Sequence, residues 1–575
     1  MSEEFDFDRE LDPYVDAIDM GARPNYVGVG EVSYEERIVQ NRRPPELAVT
    51  DEMIEQDATN PDSWLTYNKG LEEQGFSPAN GLTTDNVDQL SREWVLSTDS
   101  SGLQTDPIVV PTDPPAMYVT QNNQVVQCLD ARTGDTFWRY EYPMPEDPDY
   151  EPLPRDRGAV VYGDNVYFGT AVMSMLALNR YTGEPVWETD GLTEEQYRNY
   201  PYPWVGYGFA QAPLAYDGKI FAGQSGGDSS PPGWTYALAF DAESGEVMWE
   251  TNLVPKDQWI GETWRHGNGS AWMTAAYDTE TDTLLWNTGN PGPMLNGLVR
   301  PGPNQMTAGI VAIDATTGEV KWNDQMVAHD IWDYDGQFTP QIAEMEVDGE
   351  ATRVVIAPHK TGWAFVYDIE TGQLLTRSEP FAKQDGNFLG MHPIGEENGR
   401  VFFPGTAGGA EWSPDTYSPR TGLEYIGAND AGHKAWMELG WEYGVEATTG
   451  GGTDVPPGLG EDVFHEAYVR AVDPASGKVV WEHQLPDVNP EWGMWRMWTG
   501  GTTATAGGLV FHGSSGGDLI ALDDESGDRL WRDDTGGRIT ASPVTWLDPD
   551  VGKQYVSVAS DDEIVTYSAD VSGDG

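Results

Sequence analysis

The stretch CLDARTGDTFW, residues 128–138, decides the fold, because the chain repeats its pattern of Asp, two residues, Thr or Ser, Gly, three residues and Trp. Five further copies follow: ALNRYTGEPVW (177–187), AFDAESGEVMW (239–249), AIDATTGEVKW (312–322), AVDPASGKVVW (471–481) and ALDDESGDRLW (521–531). A seventh, VYDIETGQLLT (366–376), has Thr376 in place of the tryptophan. The interval between Asp368 and Asp473 is long enough for two units, and YSPRTGLEYIG (417–427) reads as a degenerate copy inside it. The repeats therefore predict eight similar units.

Strand signals surround each copy. Runs such as AVVYGDNVYFG (159–169), PLAYDGKIFAG (213–223) and TAGGLVFHG (505–513) place apolar strands on either side of a Gly-containing turn. Four strands in each of eight units predict an all-β chain, an eight-bladed β-propeller whose repeat tryptophans pack between neighbouring blades. We expect residues 1–75, which lack the repeat, to form an N-terminal extension that wraps the propeller of residues 76–575.

The strongly negative net charge indicates the environment of the protein and excludes some partners. The chain of 575 residues carries 95 acidic and 32 basic side chains, a formal net charge of −63. Because the acids are spread along the whole length, they indicate a halophilic protein adapted to high salt. Nucleic acid is excluded as a partner by the same charge. A hydrophobic fraction of 38% is too high for a disordered chain.

The cysteine content and the distribution of apolar residues bear on disulfide formation, haem attachment and cellular location. Cys128 is the one cysteine in the sequence, so the chain forms no internal disulfide, and it has no CxxCH haem-attachment motif. No apolar run is long enough to span a membrane. The acidic N-terminal sequence shows no signal peptide, which leaves a cytoplasmic location open.

Candidate site residues are concentrated between His266 and Gly336, in HGNGSAW (266–272), WNTGNPGP (286–293) and HDIWDYDG (329–336). Asn290 offers an amide oxygen, and Asp333 and Asp335 are two apart, so their carboxylates share one face of an extended segment. Hard cations prefer such oxygen ligands. Trp272 offers a flat ring beside small residues. The stretch therefore predicts a pocket for a metal ion and a flat cofactor.

The repeats, together with NGLTTDNVDQLSREW (80–94), GNGSAW, NTGNPGP, HDIWDYDG and SPVTWLDPDVGKQYVSVAS (542–560), resemble the pyrroloquinoline quinone (PQQ) dependent alcohol and methanol dehydrogenases. The resemblance covers about residues 62–570, and with the acidic composition it indicates a haloarchaeal-like member. It implies an enzyme that oxidises an alcohol to an aldehyde or ketone by hydride transfer to metal-bound PQQ.

The resemblance also implies a role for individual residues. Asp333 is similar to the general base that accepts the proton of the substrate hydroxyl, and also to a metal ligand. Asn290 resembles a second ligand, and Asp228 stands where the family has a ligating Glu. Asp335 is similar to the extra carboxylate of lanthanide-dependent members. The implied ion is one lanthanide(III) or Ca²⁺, because a trivalent ion favours additional negative charge.

The implied PQQ contacts come from several units, with Trp272 as the ring on which the cofactor lies and Arg157 as the partner of a PQQ carboxylate. The full set is Gln104, Arg157, Ser225, Gly226, Gly227, Trp272, Lys360, Glu411 and Trp412. The chain departs from the family at Glu151 and Pro152, where adjacent cysteines are common, at Ala210 for a usual Thr and at Glu411 for a usual Asn.

The expected partners are a small alcohol and a separate electron-acceptor protein of the cytochrome or blue-copper type. The family usually works outside the cytoplasmic membrane, so an extracytoplasmic location is open too, as is a homo-oligomer. Two alternatives remain: a quinoprotein that oxidises sugars or polyols, and a non-catalytic propeller scaffold, for which Asn290, Asp333 and Asp335 would be dispensable.

Overall fold

The computed structural model describes residues 38–122, 124–144, 155–191, 208–226, 235–265, 267–347, 349–388, 390–439, 450–454, 465–486 and 499–571. The chain enters through β1 (Ile38–Gln40), helix α1 (Asp51–Asp57), β2 (Phe76–Ser77) and β3 (Ser91–Ser97). Helix α1 begins after Thr50, whose hydroxyl oxygen accepts the Met53 N–H at 3.4 Å. Among all the residues described above, no helix has the length and apolar character needed to cross a membrane.

Five antiparallel sheets follow one another along the chain, each built from strands in sequence order. The first has β1 at its edge, next to β7. Their strands are β4 (Ile108–Val110), β5 (Ala116–Gln121), β6 (Val125–Asp130) and β7 (Thr136–Glu141); β8 (Val160–Tyr162), β9 (Asn165–Gly169), β10 (Ser174–Asn179) and β11 (Pro185–Asp190); β12 (Leu214–Tyr216), β13 (Lys219–Gly223), β14 (Tyr236–Asp241) and β15 (Val247–Asn252); β16 (Ala276–Asp278), β17 (Thr283–Thr288), β18 (Gly309–Asp314) and β19 (Val320–Gln325); and β20 (Gln341–Val347), β21 (Glu350–Pro358), β22 (Ala364–Asp368) and β23 (Leu374–Arg377).

The remaining strands form four further sheets. They are β24 (Arg400–Phe402), β25 (Gly409–Ala410), β26 (Thr416–Ser418), β27 (Leu423–Ala431), β28 (His433–Met437), β29 (Gly451–Asp454), β30 (His465–Asp473), β31 (Lys478–Gln484), β32 (Thr502–Thr505), β33 (Leu509–Gly513), β34 (Asp518–Asp523), β35 (Arg529–Asp534), β36 (Val544–Asp548), β37 (Lys553–Ser560) and β38 (Glu563–Asp570). The sheet orders are β24-β28-β29, β25-β27-β30-β31 with β26 also on β27, β2-β32-β33-β34-β35, and β3-β38-β37-β36. Short 3-10 helices lie at Val87–Gln89, Lys256–Gln258, Thr263–Arg265, Gly297–Val299 and Glu396–Asn398.

Each residue type of the repeat has a local physical reason, as the copy at 312–322 shows. The Asp314 carboxylate accepts hydrogen bonds from the Thr317 N–H and hydroxyl, both at 2.9 Å, which closes the turn between β18 and β19. Gly318 follows with φ +76°, in the left-handed region. A Cβ there would lie 2.8 Å from the Trp249 ring of the preceding sheet, so no larger residue fits.

The repeat tryptophans join consecutive sheets. The Trp249 indole N–H donates to the Ala315 carbonyl, the residue after the aspartate of the next copy, at 3.0 Å. The same bond recurs at four more places: Trp138 to Arg180, Trp187 to Ala242, Trp322 to Ile369 and Trp481 to Asp524. In these five copies one indole therefore satisfies a turn carbonyl of the following sheet and covers its glycine.

The degenerate copy predicted at 417–427 does not form a unit of its own, and that part of the prediction is wrong. Its Thr-Gly turn joins β26 to β27, and β27 pairs with β30 in the sheet that contains the 471–481 copy. A different sheet instead combines the two ends of the chain, with β3 on β38. There Trp94 donates its indole N–H to the Ala131 carbonyl at 3.0 Å, as the repeat tryptophans do.

Burial differs between the strands of one sheet. Strands β5 and β6 are buried at every position, whereas the outer strand β19 is mostly exposed. Continuous burial explains why the middle strands read as uninterrupted apolar runs, since neighbouring sheets cover both of their faces.

Residues 64–77, which we name the crossing segment, bond to one strand in each of five sheets. The Trp64 N–H donates to the carbonyl of Val109 in β4 at 2.9 Å, and the Tyr277 N–H of β16 donates to the Leu71 carbonyl at 2.8 Å. The corresponding bonds to β20, β26 and β32 run from the N–H groups of Ile342, Tyr417 and Ala504 to the carbonyls of Glu72, Gln74 and Gly75. Five sheets therefore meet around one short piece of chain.

Candidate functional site

Three of the predicted site residues form one buried ion-pair cluster. The Lys360 ammonium donates to the carboxylates of Asp333 and Asp335, with both N–O distances at 3.0 Å. The side chains are only 7 to 9% exposed. Burial alone would lower the pKa of Lys360, but the charges of Asp333, Asp335 and Glu411 outweigh it and raise that pKa well above its usual value.

The loop that carries the two aspartates lies between β19 and β20 and is held by Asp330. Its carboxylate accepts the Trp332 N–H at 2.9 Å and the Tyr334 N–H at 2.8 Å, and Arg300 donates to its carbonyl at 2.6 Å. Asp333, between the two bound amides, has φ +66°. Such a conformation is costly for a residue with a side chain and persists only where the surroundings fix it. Asp330 therefore positions the predicted base.

Backbone hydrogen bonds bring the three quoted stretches together. The Gly289 N–H donates to the Ser270 carbonyl at 2.8 Å, and the Gly336 N–H donates to the Thr288 carbonyl at 2.9 Å. Asn290 is the residue after Gly289, and Asp335 is the residue before Gly336, so both lie next to these bonds. Asn290 is 2% exposed, and within the described residues its side-chain nitrogen has no hydrogen-bond partner. A buried amide left in this way fits contact with a bound group.

The second cluster is a guanidinium between two indoles. The Arg157 guanidinium carbon lies 4.8 Å from the Trp272 ring centroid and 4.7 Å from that of Trp412. One of its nitrogens donates to the Ala210 carbonyl at 3.2 Å, while Nε and Nη2 have no partner in the described part of the chain. Burial lowers the pKa of Arg157 to about 10, and the charge of Asp335 opposes that shift. The two clusters therefore interact electrostatically.

Two of the other predicted cofactor contacts, Gln104 and Ser225, are buried. Gln104 is buried and its side-chain oxygen has no partner among the described residues. The Ser225 hydroxyl oxygen accepts the Ala210 N–H at 3.1 Å, so it binds the same residue whose carbonyl accepts the Arg157 guanidinium. Gly226 continues from Ser225 with φ +158°. The predicted residues Gly227 and Asp228, and the departures at Glu151 and Pro152, lie outside the described residues.

Sequence reasoning missed several buried groups near Arg157. Asp106 donates its backbone N–H to the Arg157 carbonyl at 3.1 Å, and Tyr67 of the crossing segment interacts electrostatically with the guanidinium. Asp156 accepts the Thr120 hydroxyl at 2.7 Å, and burial raises the pKa of its carboxyl to about 7. Among 95 acidic residues nothing local marks the buried ones, so no sequence signal separates them.

The donors present fit the groups that the sequence implies. Two carboxylates and an amide oxygen are ligands for a hard cation, and among the described residues the Asn290 side-chain nitrogen has no partner. The Arg157 guanidinium lies over indole faces and has two nitrogens without a partner in the described ranges, so it suits a flat molecule that carries carboxylates. Among the side chains that the structure describes, no three of His, Cys, Asp or Glu are grouped as a metal site.

Two known protein families match parts of this chain. Residues 64–383 match the PQQ family described as glucose/ethanol/alcohol dehydrogenase, beta-propeller domain. Residues 465–573 match the family described as outer membrane protein assembly factor BamB. Because the first match covers more than half of the chain, the chain belongs to the PQQ-dependent quinoprotein alcohol dehydrogenases. Its fold is the all-β fold of that propeller family, and it is an enzyme.

Individual relatives support the same assignment. The quinoprotein alcohol dehydrogenase PedH of Pseudomonas putida is 31% identical over 559 residues, which cover 89% of this chain and 88% of that protein. The quinoprotein ethanol dehydrogenase of Pseudomonas aeruginosa is 30% identical over 582 residues, with 89% and 87% covered. The structure of a quinohemoprotein alcohol dehydrogenase, ADHIIG of Pseudomonas putida, superposes with a TM-score of 0.80 at 26% identity, over 92% of this chain and 84% of that one.

Proposed function

We propose that this enzyme oxidises an alcohol to an aldehyde or ketone with PQQ as hydride acceptor and Asp333 as the general base. When bound, PQQ supplies a quinone that takes up hydride, and its metal ion polarises the quinone carbonyl. The relatives' names, quinoprotein alcohol and ethanol dehydrogenase, support the reaction class. The observation that carries the role of Asp333 is its position: a buried carboxylate on a clamped loop, next to a cation.

Each group in the pocket has a proposed task. Asp333 accepts the hydroxyl proton of the alcohol, a role that needs a fixed carboxylate oxygen within reach of the substrate. Lys360 balances the charge of Asp333 and Asp335 and keeps these side chains in place. Arg157 holds a carboxylate of the cofactor, while Trp272 and Trp412 supply the apolar faces that exclude water from it.

We assign the ion-binding role to Asp228, Asn290, Asp333 and Asp335, with a lanthanide(III) ion preferred to Ca²⁺. Asp335 supports this preference because it adds a second buried carboxylate to the Asp333 loop, and a trivalent ion favours higher negative charge. Electrons then pass to a separate acceptor protein. The scattered acidic surface supports work at high salt.

The proposed architecture is an eight-bladed propeller around this pocket. Seven sheets each hold one repeat copy, and the sheet of β3 and β36–β38 joins both ends of the chain. The convergence of strands from five sheets on the crossing segment supports a ring of sheets around a common axis.

The test is reconstitution followed by a dye-reduction assay with ethanol. Protein supplied with PQQ and La³⁺ should reduce the dye, and Asp333→Asn should lose at least about 100-fold in kcat, the usual contribution of a general base. Glu344→Gln is the matched control, since it removes one carboxylate from an exposed position of β20. Equal rates for Asp333→Asn and wild type would refute the assignment of Asp333 as the general base. A wild-type protein that stays inactive would refute the proposed reaction itself.

A further inference from the structure

Phe388 is an exposed aromatic residue in an unusual backbone conformation. Its side chain is 44% exposed, and its φ of +55° lies in the left-handed region. A bulky residue rarely adopts that region, because its Cβ is crowded there, and such strain often marks functional sites. The ring is therefore held in place at a cost in backbone free energy.

The ring of Phe388 packs over the catalytic loop. Its centroid lies 5.2 Å from that of Trp332 and 5.6 Å from that of Tyr334, the two residues that flank Asp333. A third contact, at 6.1 Å, is with Trp363, three residues after Lys360. Trp332 and Tyr334 are buried whereas Phe388 is not. Phe388 is thus the most exposed ring of this cluster, and two of its ring contacts are the residues on either side of Asp333 in the chain.

The segment that presents Phe388 is tied to the same site. Gln384 donates its side-chain amide to the Thr361 carbonyl at 2.8 Å, and Asn387 donates to the Gln384 side-chain oxygen at 2.7 Å. The Asp385 N–H donates to the Phe403 carbonyl at 3.1 Å. These bonds fix the segment next to Lys360, so the position of the ring is defined.

We propose that Phe388 is a specificity-determining residue and forms the outer aromatic wall of the alcohol site. An alcohol that approaches Asp333 with a flat apolar group on its carbinol carbon stacks that group on the ring, whereas ethanol has nothing to stack. The enzyme therefore favours benzyl-type alcohols over small aliphatic ones. The inference rests on the proposed function and adds its substrate class.

The test compares variants that differ in the ring alone. Phe388→Gly removes the ring and relieves the strain, because glycine adopts positive φ freely. Phe388→Tyr keeps an aromatic ring, and Met391→Ala is the control, an exposed apolar residue of the same segment. The ratio of kcat/KM for benzyl alcohol to that for ethanol should fall about 10-fold in Phe388→Gly, in the range of one aromatic contact or one apolar group. It should stay near the wild-type value in the other two.

A second measurement works without cofactor or turnover. Saturation-transfer NMR of benzyl alcohol on protein free of PQQ and metal should show a signal in wild type that is lost in Phe388→Gly. An unchanged kcat/KM ratio in an active Phe388→Gly, or an equal saturation-transfer signal, would overturn the inference and leave the proposed function standing. Wild-type protein inactive towards every alcohol would overturn the proposed function, and the NMR comparison would still decide on Phe388. If Phe388→Gly does not fold, Phe388→Leu gives the same decision.

Discussion

Replacing Lys360 with methionine tests the charge balance of the site. The ammonium lies 3.0 Å from both the Asp333 and the Asp335 carboxylate, and none of the three side chains is more than 9% exposed. Methionine keeps most of the apolar stem but leaves two carboxylates buried without their cation. Removing one partner of a buried ion pair costs about 3–5 kcal/mol. We expect a loss of that size in the free energy of unfolding of the metal-free protein.

The assay is urea unfolding with and without La³⁺, in the absence of PQQ. Because the ion supplies the missing positive charge, it should stabilise Lys360→Met by about 2.7 kcal/mol at 100 times its Kd, and wild type by less at the same concentration. Lys478→Met, at an exposed position of β31, is the control and should change stability by less than about 0.5 kcal/mol. A loss below about 1 kcal/mol, or equal stabilisation of both proteins by La³⁺, would refute the reasoning.

Two further predictions concern buried groups away from the ion pair. Burial raises the pKa of Asp156 from 3.8 to about 7, so the folded protein keeps a proton that the unfolded chain loses, and stability falls as pH rises through that interval. The melting temperature of Asp156→Asn minus that of wild type should therefore be larger at pH 8 than at pH 5. The same difference at both pH values would contradict this. Trp249→Phe loses the bond to the Ala315 carbonyl and leaves a cavity, so it should cost about 2–4 kcal/mol in urea unfolding. Trp531→Phe, for which no indole hydrogen bond is seen in the described chain, should cost less.

The repeats predict local structure well because their chemistry is local. The aspartate, the Thr or Ser and the glycine of each copy specify one turn, and the tryptophan specifies a contact with the next sheet. The same turn residues led to a wrong prediction at 417–427. There the Thr-Gly turn joins β26 to β27, in the sheet that contains the 471–481 copy. The pairing of β3 with β38 leaves no such signal, since it joins opposite ends of the chain.

The site residues also fall into those that the sequence predicts and those that it does not. Asp333, Asp335 and Lys360 stand in recognisable motifs, and the structure brings them together. Asp330 acts locally, through hydrogen bonds to two amides of its own loop, whereas Phe388 reaches that loop from a distant part of the chain, a contact that no spacing in the sequence reveals. That contact exists only once the sheets have packed.

The most direct measurement of the central claim is anomalous diffraction from crystals of the protein grown with PQQ and La³⁺. The proposed site predicts a single strong peak in contact with carboxylate oxygens of Asp333 and Asp335 and the amide oxygen of Asn290, with PQQ density against the Trp272 ring. A peak at surface carboxylates alone, or PQQ density remote from Trp272, would contradict the assignment of this pocket as the catalytic centre.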